Sequence, residues 1–100
     1  GGGSIINIAG TLGMLAIAQK AAYCAAKAGV IHLTRQMAID YGPNNVRINA
    51  ICPGFVDTPL TAGVPLEERR RIFSRLPISR AATVRDIANA GLYLARDASA

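Results

Sequence analysis

The chain has 100 residues, 51% hydrophobic and 17% charged, with a mean hydropathy of +0.28, which excludes a disordered segment and bounds it to one small domain or a piece of a larger one. A net charge of +5 and a pI of about 9.9 would suit a nucleic-acid or membrane partner, but six of the eleven basic residues (Arg69, Arg70, Arg71, Arg75, Arg80, Arg85) cluster beside Glu67 and Glu68, without the interleaved aromatics that a stacking platform needs. No apolar run reaches transmembrane length, no basic stretch precedes an apolar one at the N-terminus, and Cys24 and Cys52 match no metal-ligand spacing. The expectations are therefore no nucleic acid, no membrane, no metal, buried free thiols and, by default, a cytoplasmic location.

Gly1-Gly2-Gly3 reads as flexible. Ser4 to Ala9 follows as a short apolar run rich in isoleucine, the kind found in a parallel sheet covered on both faces. Gly10-Thr11-Leu12-Gly13 ends that strand in a loop, and Met14 to Ala22 passes from loop into helix. Ala, Leu, Met, Gln and Lys then predict a helix over Ala21 to Tyr41, stopped by Gly42-Pro43. Val30, Leu33, Met37 and Tyr41 form an apolar stripe at helical spacing.

Asn44-Asn45 turns the chain, and Val46 to Cys52 reads as a second strand, stopped by Pro53-Gly54. Strand, long helix, strand is a βαβ unit with parallel strands and a right-handed crossover. Ligands of open α/β sheets bind at the carboxyl ends of strands, so Gly10-Thr11, Tyr23 and the loop Pro53 to Thr58 are expected to converge on one crevice. Thr58 to Val64 reads as a mobile loop. Pro65 suits a first helical turn, with Leu66 to Leu76 following and Pro77 stopping it. The arginine run reads as a solvated helix face or a contact with an acidic partner. Thr83-Val84-Arg85-Asp86 is a capping box with Asp in place of Glu, opening a last helix to about Arg96 with Ile87, Gly91 and Leu94 on one face.

The chemistry centres on Tyr23 and Lys27. Four apart on a helix, they share one face, and an ammonium beside a phenol favours the phenolate, so the pair could move a proton. Alone, a Tyr and a Lys at this spacing are more often just an exposed polar face. His32, the single histidine, has no carboxylate, Cys or second His nearby in sequence and reads as structural.

Taken together these stretches resemble the C-terminal half of a short-chain dehydrogenase/reductase. Ser4 to Ile8 resembles the family's strand before the catalytic loop. Tyr23-Cys-Ala-Ala-Lys27 resembles its Tyr-x-x-x-Lys signature, continued by Ala28-Gly29-Val30 and Leu33-Thr34-Arg35. Val46 to Gly54 with Val56 and Thr58 resembles its strand and Pro-Gly cofactor loop, and Pro77-Ile-Ser-Arg80 with Asp86-Ile87-Ala88 the segment after the substrate loop.

The resemblance implies an α/β fold, part of a doubly wound parallel-sheet, Rossmann-type architecture with β-α-β followed by two helices. It implies NAD or NADP as cofactor and hydride transfer between nicotinamide and a carbonyl or secondary alcohol. Tyr23 would contact the cofactor and would be the general acid/base. Lys27 would assist it and hold the nicotinamide ribose, while Pro53, Gly54, Val56 and Thr58 would meet the nicotinamide end. Leu60 to Arg75 would form the substrate loop and helix, and the Ala21 to Tyr41 helix would lie in a homo-oligomeric interface of a tetramer or dimer.

Two departures from the family pattern stand out. Its catalytic Ser, thirteen positions before the Tyr, is Gly10 here, and losing one polarising donor typically costs ~10²–10³ in rate. Thr11 is adjacent, and a non-catalytic member of the family is the alternative. The glycine-rich phosphate loop and the strands before it, the Asn of the family's proton relay and the strand expected after Ala100 have no counterpart in these residues. On that reading, residues 1–100 are the C-terminal portion of one NAD(P)-binding domain and, isolated, are expected to fold poorly and show no activity.

Overall fold

A computed structural model describes residues 2–14, 18–78 and 80–97. Strand β1 (Gly3–Ile8) and strand β2 (Val46–Ile51) pair in parallel, with Ile5 opposite Ile48 and Ile8 opposite Ile51. Helix α1 (Ala21–Tyr41) is the crossover between them. Asn45, in the left-handed conformation that Asn tolerates, closes a 3₁₀ turn over Gly42–Asn44 and aims the chain into β2. Two further helices follow, α2 (Leu66–Ser74) and α3 (Val84–Ala95).

Side chains alternate across a strand, and β1 uses both faces. Asn7 turns to α1, where its amide donates to Thr34 Oγ1 at 3.0 Å. Thr34 is buried and its hydroxyl donates to the Val30 carbonyl at 2.7 Å, so no polar atom there is stranded. Ser4, on the opposite face, donates to the Leu94 carbonyl at the end of α3. Its register partner Arg47 donates to the carbonyls of Leu94 and Arg96 at 2.9 and 3.1 Å, placing a cation at a helix C-terminus where the macrodipole favours it. Helices on both faces of a parallel sheet are the doubly wound arrangement.

The interior is thin. Among the described residues only Ala9 and Ile48 are buried apolar residues, while Ile39 and Leu60 remain 73% and 90% exposed. The radius of gyration, 15.6 Å, exceeds the roughly 13 Å of a compact 100-residue domain.

Several boundaries and faces differ from expectation. Gly3 belongs to β1 instead of a flexible lead. On α1 the sheet-facing residues are Ile31, Thr34 and Ala38, whereas Leu33 and Tyr41 of the expected stripe are about half exposed; a polar residue that hydrogen-bonds to the strand holds the inward position. Cys24 and Cys52 are free but only partly buried. Helix α2 ends at Ser74, before Pro77, because Arg75 and Leu76 bond back three residues in a tightened last turn, as a following proline encourages. On α3, Ile87, Gly91 and Leu94 are partly shielded as expected, while Leu92 and Tyr93 are exposed. Gly1, part of the Met14 to Ala22 segment, Ser79 and the end leading to the expected last strand lie outside the described residues. Among the described residues no helix is long and apolar enough to cross a membrane.

Candidate active site

The strand ladder continues past both strand ends. The Ala9 N–H donates to Ile51 O at 2.8 Å and the Thr11 N–H to Pro53 O at 3.1 Å, which holds the Gly10-Thr11 and Pro53-Gly54 segments side by side. Thr11–Gly13 then forms a 3₁₀ turn against α1. Glycine is required at the end of that turn: a Cβ on Gly13 would fall 2.9 Å from the backbone carbonyl atoms of Lys27 and 2.6 Å from Ile31 Cδ1. This close approach sets the loop after β1 against the first turns of the helix that carries Tyr23 and Lys27.

The result is a pocket of about 300 Å³ lined by Gly10, Thr11, Tyr23, Pro53 and Gly54, with Phe55 and Ile72 as an apolar wall. Tyr23 is half exposed. The Lys27 ammonium lies 5.7 Å from the centre of its ring and donates to Ile8 O at a long 3.4 Å. A Cβ on Gly10 would stand 3.6 Å from Tyr23 Oη. The structure thus brings together Gly10, Thr11, Tyr23, Pro53 and Gly54, with Lys27 directly behind the phenol.

Val56 and Thr58 do not line this pocket. Val56 pairs with Ala82 in an isolated parallel bridge, reinforced by the Asp57 N–H donating to Ala82 O and the Ala82 N–H to Phe55 O. Thr58 belongs to a knot with Thr61, whose hydroxyl donates to Val56 O at 2.6 Å and accepts from the Thr58 N–H at 3.0 Å. The loop expected to be mobile is therefore tied through its own hydroxyls into a 3₁₀ turn at Thr61–Gly63.

Phe55 falls in the loop expected at the crevice and Ile72 in the helix expected beside the substrate, but neither is singled out by the sequence as a site residue. The available signal was an apolar pair, Ile72-Phe73, inside an otherwise arginine-rich helix. Phe73 meets Phe55 edge-on, with ring centroids 5.5 Å apart and planes at 86°, a preferred aromatic geometry. Arg69 departs from the rest of the run: its guanidinium lies 5.3 Å over the Phe55 ring and donates to Thr61 O at 2.8 Å, while Arg70, Arg71 and Arg75 are exposed. His32 is exposed and lies outside the pocket. Among the described residues no group of three His, Cys, Asp or Glu could hold a metal ion.

The carboxyl ends of both strands of a parallel βαβ unit thus share one pocket with Tyr23, with Lys27 one helical turn further along α1, and a crossover of this kind is the α/β class of fold. The chain belongs to the short-chain dehydrogenase/reductase family, for the model described as "Enoyl-(Acyl carrier protein) reductase" matches residues 1–100. It is 43% identical over 99 residues to the cis-4-hydroxycyclohexanecarboxylate dehydrogenase of Sinomonas cyclohexanicum, covering 99% of this chain and 40% of that protein. It superposes with a TM-score of 0.94 and 35% identity on a 7α-hydroxysteroid dehydrogenase complexed with NADH and 7-oxo glycochenodeoxycholic acid, covering 99% of this chain and 39% of that one. An Agrobacterium tumefaciens protein with bound NADP gives a TM-score of 0.96 at 31% identity, over 98% of this chain and 41% of that one. The chain spans about two-fifths of the length of the curated relatives it matches.

Proposed function

We propose that the whole protein is an NAD(P)-dependent oxidoreductase that moves a hydride between nicotinamide and a carbonyl or secondary alcohol, with residues 1–100 as the C-terminal portion of its cofactor domain. One observation carries this reading: Tyr23 opens into a pocket shared by the carboxyl ends of both parallel strands, with the Lys27 ammonium behind its ring. The residues present fit the nicotinamide end of the cofactor. Lys27 has a single long hydrogen bond to Ile8 O among the described residues, so it keeps donors for a ribose. Among the described residues a Cβ on Gly54 would meet nothing within 4 Å, so the backbone there is open to a flat ligand. Pro53 and Gly54 would border the nicotinamide, with Val56 and Thr58 shaping the loop from behind. The cofactor, when bound, supplies the hydride acceptor or donor.

Tyr23 Oη handles the proton, accepting it from the carbinol in oxidation and returning it to the carbonyl oxygen in reduction. The substrate is a small alcohol or carbonyl compound handled in the cytoplasm. The exposed Leu33 and Tyr41 on α1 support a homo-oligomer built through that helix.

Replacing Tyr23 with Phe in the whole protein is expected to lower alcohol oxidation by about 10²–10⁴, the span of a general acid/base, while cofactor binding, followed by nicotinamide fluorescence, is retained. Unchanged turnover in Tyr23→Phe would sink the assignment. The contrary reading, a non-catalytic family member, rests on Gly10, and cofactor binding without turnover in the unsubstituted protein would favour it.

A further inference from the structure

We infer that the space left open by Gly10 beside the Tyr23 phenol is part of the substrate site and receives the ring or α-branch of a bulky secondary alcohol or ketone. This rests on the oxidoreductase reading above and adds the class of substrate. Neither of the usual structural reasons for a glycine holds at this position. Its φ of −175° and ψ of 161° are extended backbone open to any residue. A side chain would not be crowded either: among the described residues a Cβ would meet only Tyr23 Oη at 3.6 Å and Lys27 Cγ at 4.0 Å, both ordinary contacts. Gly13, three residues later, shows the opposite case, with helix backbone inside 3.0 Å of its Cβ position.

What the absent side chain does provide is room, next to the phenol oxygen and in the pocket walled by Phe55 and Ile72. Groups attached to the carbinol carbon lie immediately beside the oxygen that meets Tyr23 Oη. The part of a ring or α-branch that extends beyond the methyl groups of 2-propanol would therefore reach where a Gly10 side chain would stand. The aromatic and aliphatic wall makes a hydrocarbon substituent a better occupant than a polar one, which points to alicyclic or α-branched alcohols in preference to short linear ones.

The test compares cyclohexanol with 2-propanol in the whole protein, with NAD or NADP, for the unsubstituted protein, Gly10→Ala and Gly10→Ser. Filling the space should lower the ratio of kcat/KM for cyclohexanol over 2-propanol by about 10–200-fold in both variants, the range for one methylene of misfit. Thermal midpoints should be no lower than that of the unsubstituted protein, because the conformation accepts a side chain. An unchanged ratio in Gly10→Ala overturns the inference. So does a Gly10→Ser variant that gains turnover on both alcohols, since the position would then lack a hydroxyl and not lend room. Should the unsubstituted protein oxidise neither alcohol, the oxidoreductase reading fails, and saturation-transfer NMR with cyclohexanone decides the inference alone. Binding weakened by Gly10→Ala upholds it; equal binding, or none, overturns it.

Discussion

The β1–α1–β2 half and the half from Pro53 onward are held together by different physics. In the first, the parallel ladder and the Thr34–Asn7 contact fix the crossover, and an apolar interior, small as it is, lies at Ala9 and Ile48. In the second, none of the described residues is buried, and order comes from side chains tied to backbone: the Thr58–Thr61 knot, the Arg69 clasp and the Thr83–Asp86 cap. The pocket forms where the two meet, so the Tyr23 wall is set by packing and the Phe55–Ile72 wall by polar fastenings. Fastenings of that kind open at lower free energy than packed elements, so the Phe55–Ile72 wall is expected to open before the Tyr23 wall.

The sharpest test of the packed half is Gly13→Ala. Its Cβ would press on the Lys27 backbone, and overpacking of this sort costs about 1–3 kcal/mol. The thermal midpoint of the whole protein should fall, whereas Gly10→Ala should leave it no lower. Equal midpoints for the two variants would break the claim that the first half is set by close approach.

Arg69→Met probes the fastened half. It keeps an aliphatic stem over Phe55 but removes the cation and the donor to Thr61 O. The loss is about 1–2 kcal/mol from a partly exposed cation–π contact and a charged hydrogen bond. Tryptic cleavage after Arg70 and Arg71 should then accelerate by about tenfold, with no change in cleavage within residues 21–41. Equal acceleration in both segments would show that the halves are not independent.

The same division explains what could be read from the sequence. The βαβ unit announced itself through apolar runs, helix-forming composition and Gly-Pro punctuation, and α1 begins and ends where those signals place it. The capping box was legible because its signature is local. The inward face of α1 was misread because a threonine occupies it, and hydrophobic periodicity is blind to a polar residue satisfied by a strand. Phe55, Arg69 and Ile72 lay inside the loop and helix that the family resemblance set beside the crevice, but their individual contacts depend on how α2 folds back over the Pro53 loop, which no local pattern encodes. The convergence of Gly10-Thr11, Tyr23 and Pro53-Gly54 was legible from topology alone.

The smallest expected effect is a pH response at the start of α3. The Asp86 carboxylate accepts from the Thr83 backbone N–H at 2.8 Å and from Arg80 Nη1 at 3.1 Å; the backbone bond first, then the Arg80 hydrogen bond, hold its pKa below the ordinary aspartate value. A carboxylate whose folded pKa is depressed contributes stability that is fully present above its unfolded pKa, about 3.9, and is lost as pH falls through the folded value. The N-terminal turn of α3 should therefore lose amide-exchange protection below about pH 4, while its C-terminal turn, capped by Arg47, keeps its protection. The Arg80–Asp86 pair is largely exposed, with side chains 60% and 42% accessible, so salt should screen its part and leave the Thr83 bond in place. Asp86→Asn should remove the pH response. If protection in that variant still falls between pH 5 and pH 3 as it does with Asp86 present, the acid sensitivity lies elsewhere and the second half is not fastened at this cap.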